Sequence, residues 1–452
     1  MTITPTRAWS NILADGTDLR DLVDEAGGHI SRRIYGDPEI FELEKERIFR
    51  RAWNFLAHES EFTKPGDTIT RTLAGEPVVL IMGDDHKVRA FLNSCRHRGM
   101  RVCRADRDNL KFMRCVYHGW AYNRDGSLAG VFAEQLYDES RLVKEELGLI
   151  PVTQVDSYAG FIFGTWSAEA PALGDFLGKM TFYLDLIANR TPAGTEVVGV
   201  PHVWEAAANW KFATDNFTGD NFHIYTAHGS MVELGLVPAD PMALSGGYLI
   251  QAEGGHVLHV VPGPPDYNYL GVPRDMIPRM NSTLSTEQQQ VMENISFSVG
   301  TVFPNFSFLH VLVARAEGLP PTPFLSFRFW EPVAHNRTRI HSYLFVDKDS
   351  PQSFKQETAE AYVRTFGPSG TFEQDDTENW EDCTAVNSGK IAQRYNLHHG
   401  MALDVPADPT FPGPGHAYPG SYGERTQLAF YGEWLRWLTE TDPAAARSEN
   451  DR

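Results

Sequence analysis

The sequence predicts an α+β protein: a small antiparallel β domain, then a larger domain of antiparallel sheet with helices. The limits are 1–50 for an N-terminal helical segment packed on the larger domain, 51–165 for the β domain and 166–452 for the larger domain. Three observations lead there. A helix start precedes residue 50. From about Gly66 to Thr165, short β-rich runs alternate with turn signals. Beyond Ser167, helical and strand-like stretches are mixed.

Taken in order, Asp37-Pro38 supplies an N-cap and a proline at the first helical position. The helix runs towards Trp53, with Phe41, Ile48 and Ala52 roughly on one face. Val78–Met82, Val88–Leu92, Trp120–Tyr122 and Phe161–Phe163 read as strands. Gly83-Asp84-Asp85 and Arg124-Asp125-Gly126 are turn signals between them. Helices are expected over Phe176–Ile187, Trp210–His228, Ser353–Phe366 and Thr426–Leu438. In the last, Leu428, Tyr431, Leu435 and Leu438 keep helical spacing. Strands are expected over Phe297–Phe303, Phe308–Val313, Leu325–Trp330 and Arg339–Val346. The Pro/Gly-rich stretch Val405–Gly423 reads as an irregular surface arm.

Length and composition bound the function. At 452 residues the chain can hold two or three domains. A net charge of −19 argues against bulk nucleic-acid or anionic-membrane partners. No apolar run reaches membrane-spanning length, and Met1–Arg20 lacks an apolar signal core, so a cytoplasmic protein is expected. The absence of a G-x-G-x-x-G fingerprint and of a phosphate-binding loop argues against a bound dinucleotide. Of four cysteines, Cys95 and Cys115 stand at metal spacing; Cys103 and Cys383 are expected to be reduced and buried.

Two metal patterns lie about a hundred residues apart. The first is Cys95-Arg96-His97, seventeen residues, then Cys115-Val116-Tyr117-His118. Two thiolates and two imidazoles are the donor set of a Rieske [2Fe–2S] cluster. Replacing thiolate by neutral imidazole raises the potential into a range of roughly −150 to +300 mV. A Cys2His2 zinc site is the alternative, but zinc fingers pair Cys with Cys and His with His. Here each loop contributes one of each.

The second pattern is Asp220-Asn221-Phe222-His223, four residues, then His228. Two histidines and a carboxylate hold mononuclear Fe(II) with open positions for O2. Five residues turn an ideal helix by about 500°, leaving the two rings about 140° apart. A bend, a π-bulge or a helix end is therefore expected between them. The acidic run Glu373-Gln374-Asp375-Asp376 offers three candidates for the carboxylate, and its chemistry alone does not separate them.

With Cys-Arg-His-Arg-Gly, Cys-Val-Tyr-His-Gly-Trp and Asn209-Trp210-Lys211 ahead of the second pattern, the chain resembles the large (α) subunit of Rieske non-haem iron ring-hydroxylating oxygenases of the naphthalene/biphenyl type. The likeness spans about residues 35–440. It implies that Cys95, His97, Cys115 and His118 hold the cluster, and that His223, His228 and Asp376 hold the iron. It implies that Asp220 is no ligand but bridges a cluster histidine (His118) and an iron histidine (His223) across neighbouring subunits, and that Asn216 lies near the iron. Phe217, Asn221, Ile224, Thr365, Phe366 and Phe372 match pocket positions, and Leu309 and His310 are further candidates. This lining lacks Lys and Arg, which favours an uncharged arene over an aromatic carboxylate.

The resemblance also implies the activity and the partners. O2 and electrons from NAD(P)H, passed through a reductase and a ferredoxin, convert a bicyclic or polycyclic arene to a cis-dihydrodiol. The assembly is a homotrimer or an α3β3 hexamer with a small β subunit. Monooxygenation, an aromatic-acid substrate and a purely electron-transferring Rieske protein are the alternatives. Seven basic residues between 96 and 114 (Arg96, Arg98, Arg101, Arg104, Arg107, Lys111, Arg114) read either as a ferredoxin-docking patch or as braces for the cluster loops.

Overall fold

The structure is a computed structural model that describes residues 9–441, apart from Glu139, Pro238, Pro264, Ala316 and Glu317. Residues 1–8 of the N-terminal segment thus lie outside the described residues. The chain forms two compact units, Phe49–Leu173 and Met1–Ile48 with Gly174–Arg452, against limits of 51 and 165 read from the sequence.

The smaller unit is built from antiparallel strands. A four-stranded sheet runs in the order Val88–Leu92, Glu76–Met82, Asp67–Leu73 and Arg107–Asn109. Two three-stranded sheets accompany it, Gln154–Tyr158 with Phe161–Thr165 and Asn54–His58, and Leu128–Gly130 with Ala121–Tyr122 and Met113–Arg114. The expected strands are present, and Asp67–Leu73 was not foreseen. Between Val88–Leu92 and Arg107–Asn109 lies the loop with Cys95 and His97. Cys115–Trp120 joins Met113–Arg114 to Ala121–Tyr122.

The larger unit centres on a nine-stranded antiparallel sheet. Its middle is a meander of Tyr248–Gln251, Val257–Val261, Phe297–Val302, Phe306–Ala314, Pro321–Ala334 and Arg337–Asp347. Leu309 pairs with Val299 and Ser326, so the register brings apolar side chains from neighbouring strands onto a shared face. Helix Gln352–Phe366 packs on this sheet, and helix Thr371–Asn387 packs on Gln352–Phe366.

Helix Pro38–Glu44 starts as predicted, with the Asp37 side chain accepting from Glu39 N–H. It is anchored by Glu44, which is fully buried. The Glu44 carboxylate meets Lys211 Nζ at 2.5 Å and accepts from the Trp210 and Trp434 indoles at 2.9 and 2.8 Å. Removing either charge of such a pair strands the other in the core, at a cost of about 3–5 kcal/mol. The N-terminal segment thereby fixes helix Trp210–Asn216, which leads into the second metal pattern.

Three expectations need correction. The single helix over Trp210–His228 is broken: Trp210–Asn216 ends, and Ile224–Ala227 starts after a turn. Gly178, at φ +47, interrupts the helix expected over Phe176–Ile187, leaving Leu173–Leu177 and Met180–Ala188. The irregular arm contains a strand, His416–Pro419, which forms one edge of the large sheet by pairing with Tyr248–Gln251. Among the described residues, no helix is long and apolar enough to cross a membrane.

Candidate metal centres and active-site cavity

A helix end at His228 solves the angular problem posed by His223 and His228. His223 is the residue before the single turn Ile224–Ala227, and His228 ends that turn at φ −102, ψ 33. Both rings can therefore face helix Thr371–Asn387, which presents Asp376 between them. Asp376 Oδ1 lies 3.4 Å from His223 Nε2 and 3.2 Å from His228 Nε2. One donor atom from each of the three residues falls within 4.8 Å of the others.

Three carboxylates that the sequence left equivalent have different surroundings. Asp376 meets both imidazoles. Asp375 turns to the far side of His228, where its Oδ2 accepts from Nδ1 at 3.1 Å and leaves Nε2 directed at Asp376. Glu373, one turn earlier, is fully buried and pairs with Arg328 Nη1 at 2.5 Å. Burial pushes the Glu373 carboxyl up to about 7, against the pull of Arg328. Asp376 is also buried, yet the two imidazoles hold its carboxyl well below the usual range. Burial opposes a charge on His223, and the Asp220 and Asp376 carboxylates outweigh it and raise its pKa. Carboxylates beside two imidazoles that favour added positive charge are the surroundings a divalent cation needs, so this donor set fits Fe(II).

His223 is oriented from behind. Its Nδ1 donates to the Asp220 carbonyl at 2.5 Å and lies 3.4 Å from Asp220 Oδ2. The other carboxylate oxygen, Asp220 Oδ1, is buried and accepts no hydrogen bond among the described residues. Asn216 Nδ2 lies 3.3 Å from His223 Nδ1, while Asn216 Oδ1 accepts from Trp380 Nε1 at 3.2 Å.

A cavity of about 440 Å³ opens on this site. Phe217, Asn221, Ile224, Phe366, Phe372 and Leu309 line it, and its walls include no Lys or Arg. Phe366 and Phe372 stack nearly parallel, with 5.2 Å between centroids and 8° between planes. Two expected pocket residues lie outside the lining. Thr365 turns its hydroxyl to the Ala361 carbonyl at 2.7 Å, a local helix bond. His310 follows Leu309 on the same strand and so points to the other face, where it is fully buried. The sequence reading missed Val299, Val311 and Val313 from the sheet and Leu236 and Val237 from the segment after His228. Apolar strand residues carry no mark that separates a cavity wall from a core.

The first pattern forms two loops of one design. Cys95 N–H donates to the Met100 carbonyl and Gly99 N–H to the Cys95 carbonyl, both at 2.9 Å; Cys115, Trp120 and Gly119 repeat the arrangement at 2.8 and 3.0 Å. Gly99 and Gly119 sit at φ +75 and +74, a left-handed conformation that glycine adopts without strain. The loops bring the His97 and His118 rings to 4.6 Å, edge to face, with His97 stacked on Trp120. Both cysteines are buried, and Tyr122 Oη lies 3.3 Å from Cys95 Sγ. His97 Nδ1 is buried without a hydrogen-bond partner among the described residues, an atom placed to serve as a ligand. No three of these four residues bring donor atoms within 4.8 Å of one another, whereas a single zinc ion requires four close donors. The wider spacing suits a two-iron cluster.

Of the other cysteines, Cys103 is buried as expected, and burial pushes its thiol up to about 12. Cys383, on helix Thr371–Asn387, is exposed, contrary to expectation, because it borders a cavity rather than the core. The basic run divides. Arg96 donates to the Glu146 and Gly148 carbonyls and Arg107 pairs with Glu61, so both brace the fold. Arg98, Arg101, Arg104 and Arg114 are exposed.

Comparison with known proteins places both halves. Residues 52–138 match the Rieske [2Fe-2S] domain, and residues 194–440 match the ring hydroxylating alpha subunit (catalytic domain). The biphenyl 2,3-dioxygenase subunit alpha of Rhodococcus jostii (strain RHA1) is 35% identical over 95% of this chain and 93% of its own length. The N,N-dimethyl phenylurea N-demethylase subunit alpha of Sphingobium sp. (strain YBL2) is 32% identical, over 93% and 94%. The crystal structure of naphthalene 1,2-dioxygenase from Rhodococcus sp. bound to indole superposes with a TM-score of 0.91 at 39% identity, covering 94% of this chain and 97% of that one. An iron–sulfur cluster and a mononuclear iron are the cofactors of such chains, and electron-transfer proteins and further subunits are their partners. Two domains in this order, matched along nearly the whole length, establish the protein as a member of the Rieske-type ring-hydroxylating dioxygenase alpha-subunit family, an oxidoreductase.

Proposed function

We propose that the protein dihydroxylates an uncharged bicyclic or polycyclic arene to its cis-dihydrodiol. The balance is arene, O2, two electrons and two protons in, dihydrodiol out. The electrons come from NAD(P)H through a reductase and a ferredoxin. The observation that carries this reading is an apolar cavity of about 440 Å³ with His223, His228 and Asp376 in its wall and no cation to pair with a carboxylate substrate. The biphenyl and naphthalene oxygenases among its relatives support it.

In this reading His223, His228 and Asp376 hold the Fe(II), and Cys95, Cys115, His97 and His118 hold the cluster. When bound, the iron supplies the positions at which O2 reacts, and the cluster supplies electrons. The chain's own residues do the rest. Phe366 and Phe372 give a flat wall against which an aromatic plane can lie. Asp375 keeps His228 in the tautomer that offers Nε2. Asp220 holds His223 with one oxygen and keeps the other for the ring N–H of His118 from a neighbouring copy. A contact between unlike surfaces that closes into a ring gives an α3 or α3β3 assembly.

A second reading is monooxygenation, which the N-demethylase relative supports. Incubating the reconstituted system with an arene panel under 18O2 separates the two. The expected product is a cis-dihydrodiol carrying two labelled oxygens. A phenol or dealkylated product with at most one labelled oxygen contradicts dioxygenation, and no product at all contradicts an oxygenase.

A further inference from the structure

The proposed reaction consumes two protons per turnover, and the arene cavity is poorly suited to deliver them. Its walls are mainly aliphatic and aromatic. A second cavity, of about 500 Å³, reaches the same site from another side and shares Asn216, Asp220, His223 and Asp376 with the first. Its remaining walls are more polar than those of the first cavity, and they include Asp215, Asn379, His399, Glu424 and Gln427.

Within that lining Asp215 and His399 form a connected pair. Asp215 Oδ2 lies 3.8 Å from His399 Nε2 and accepts from Tyr431 Oη at 2.8 Å; Tyr35 Oη donates to Tyr431 Oη at 2.7 Å behind it. His399 is tied down by its backbone N–H, which donates to the Gly28 carbonyl at 2.7 Å. Its Nδ1 is buried and accepts or donates no hydrogen bond among the described residues. Neither residue belongs to the proposed iron ligands, and the site's metal chemistry does not account for a partly buried imidazole paired with a carboxylate at this place.

We infer that His399, held by Asp215, delivers protons from solvent through the polar cavity to the iron site. The inference rests on the proposed oxygenation, whose proton demand it serves. In each cycle imidazolium releases a proton to water in the cavity and neutral imidazole is reprotonated from the solvent side; electrons enter separately from the cluster. Charged and titratable groups facing His399 are Asp215, Glu424 and Asp220, with the Tyr431 ring 6.0 Å away. Facing Asp215 are His399, Tyr431, Tyr35 and Cys383. Burial opposes the charge on His399, but the Asp215 carboxylate outweighs it and raises the pKa above the ordinary histidine value. Activity that needs the imidazolium is present below that pKa and is lost as pH rises through it.

The test uses the assembled enzyme with its reductase and ferredoxin. His399→Gln and Asp215→Asn are expected to keep full iron content, the cluster spectrum and the KM for the arene, while kcat falls at least tenfold. Asp215→Asn should also move the alkaline limb of the kcat–pH profile to lower pH, because the remaining histidine loses its carboxylate. Added imidazole should restore turnover to His399→Ala. A crystal structure of the assembled enzyme should show ordered water joining His399 to the Asn216–Asp220 edge of the cavity. Variants with wild-type kcat and pH profile, or a polar cavity that is dry, overturn the inference. The product made by the wild type tests the proposed reaction separately, since either kind of oxygenation consumes two protons.

Discussion

The two metal sites are walled in opposite ways. On the smaller unit, four candidate ligands sit on two short loops. His97 and His118 are only partly buried, and the neighbouring Val116 and Tyr117 are 62% and 57% exposed. On the larger unit, His223 is partly buried, His228 and Asp376 are 2% and 5% exposed, and carboxylates and an indole brace the site. Charge divides the same way. Residues 49–173 contain 16 basic and 16 acidic side chains, so the whole net charge of −19 falls on the other unit. An electron carrier must bring the edge of its cofactor to a partner, whereas an oxygen-activating site must keep bulk water out. One chain meets both demands by giving each centre its own core and its own electrostatics.

That contrast can be broken first at Asp220, the residue proposed to connect the centres. Asp220→Asn retains the shape but loses the carboxylate that would hold both imidazoles. Both metals should stay bound, while electron transfer from the reduced cluster slows by about 10–100-fold, the usual scale for an outer-shell partner. Rapid-mixing absorption of the cluster on exposure to O2 and substrate measures this; an unchanged rate would remove Asp220 from the electron path. A smaller effect is expected at the surface. Arg101→Glu with Arg104→Glu should slow reduction by ferredoxin by about two- to tenfold at low salt and flatten its salt dependence. Stopped-flow reduction that responds to salt as in the wild type would assign docking elsewhere. Arg107 is a poorer target, because its pairing with Glu61 makes any loss ambiguous.

How far the sequence went differs between the two sites. The cluster loops were legible because all four candidate ligands lie in local motifs, and Gly99 and Gly119 mark the turns that shape them. The imidazole pair was legible for the same reason, and the five-residue step foretold a helix end between His223 and His228, which the structure places at His228. Local pattern could not choose among Glu373, Asp375 and Asp376, since their separate surroundings come from His228 and Arg328, distant in sequence. The cavity was half legible. Residues next to the histidines were found, while Val299 and Val311 were not, because wall or core depends on strand register across the sheet. Thr365 and His310 failed for a related reason, as a neighbour of a lining residue points elsewhere. The strand His416–Pro419 was hidden by its Pro/Gly-rich setting: it is an edge strand, where proline is tolerated.

The central claim is that the two centres of one chain work with those of its neighbours. Mixed assemblies test it most directly. Cys115→Ala removes the cluster and leaves the iron site; His223→Ala removes the iron and leaves the cluster. Each variant alone should be inactive. Co-assembled at equal ratio, randomly paired neighbours should restore about a quarter of the wild-type activity, since an intact iron site then follows an intact cluster in about one pair in four. Mixed assemblies as inactive as their parents would show that electrons do not cross between subunits, and would contradict the account.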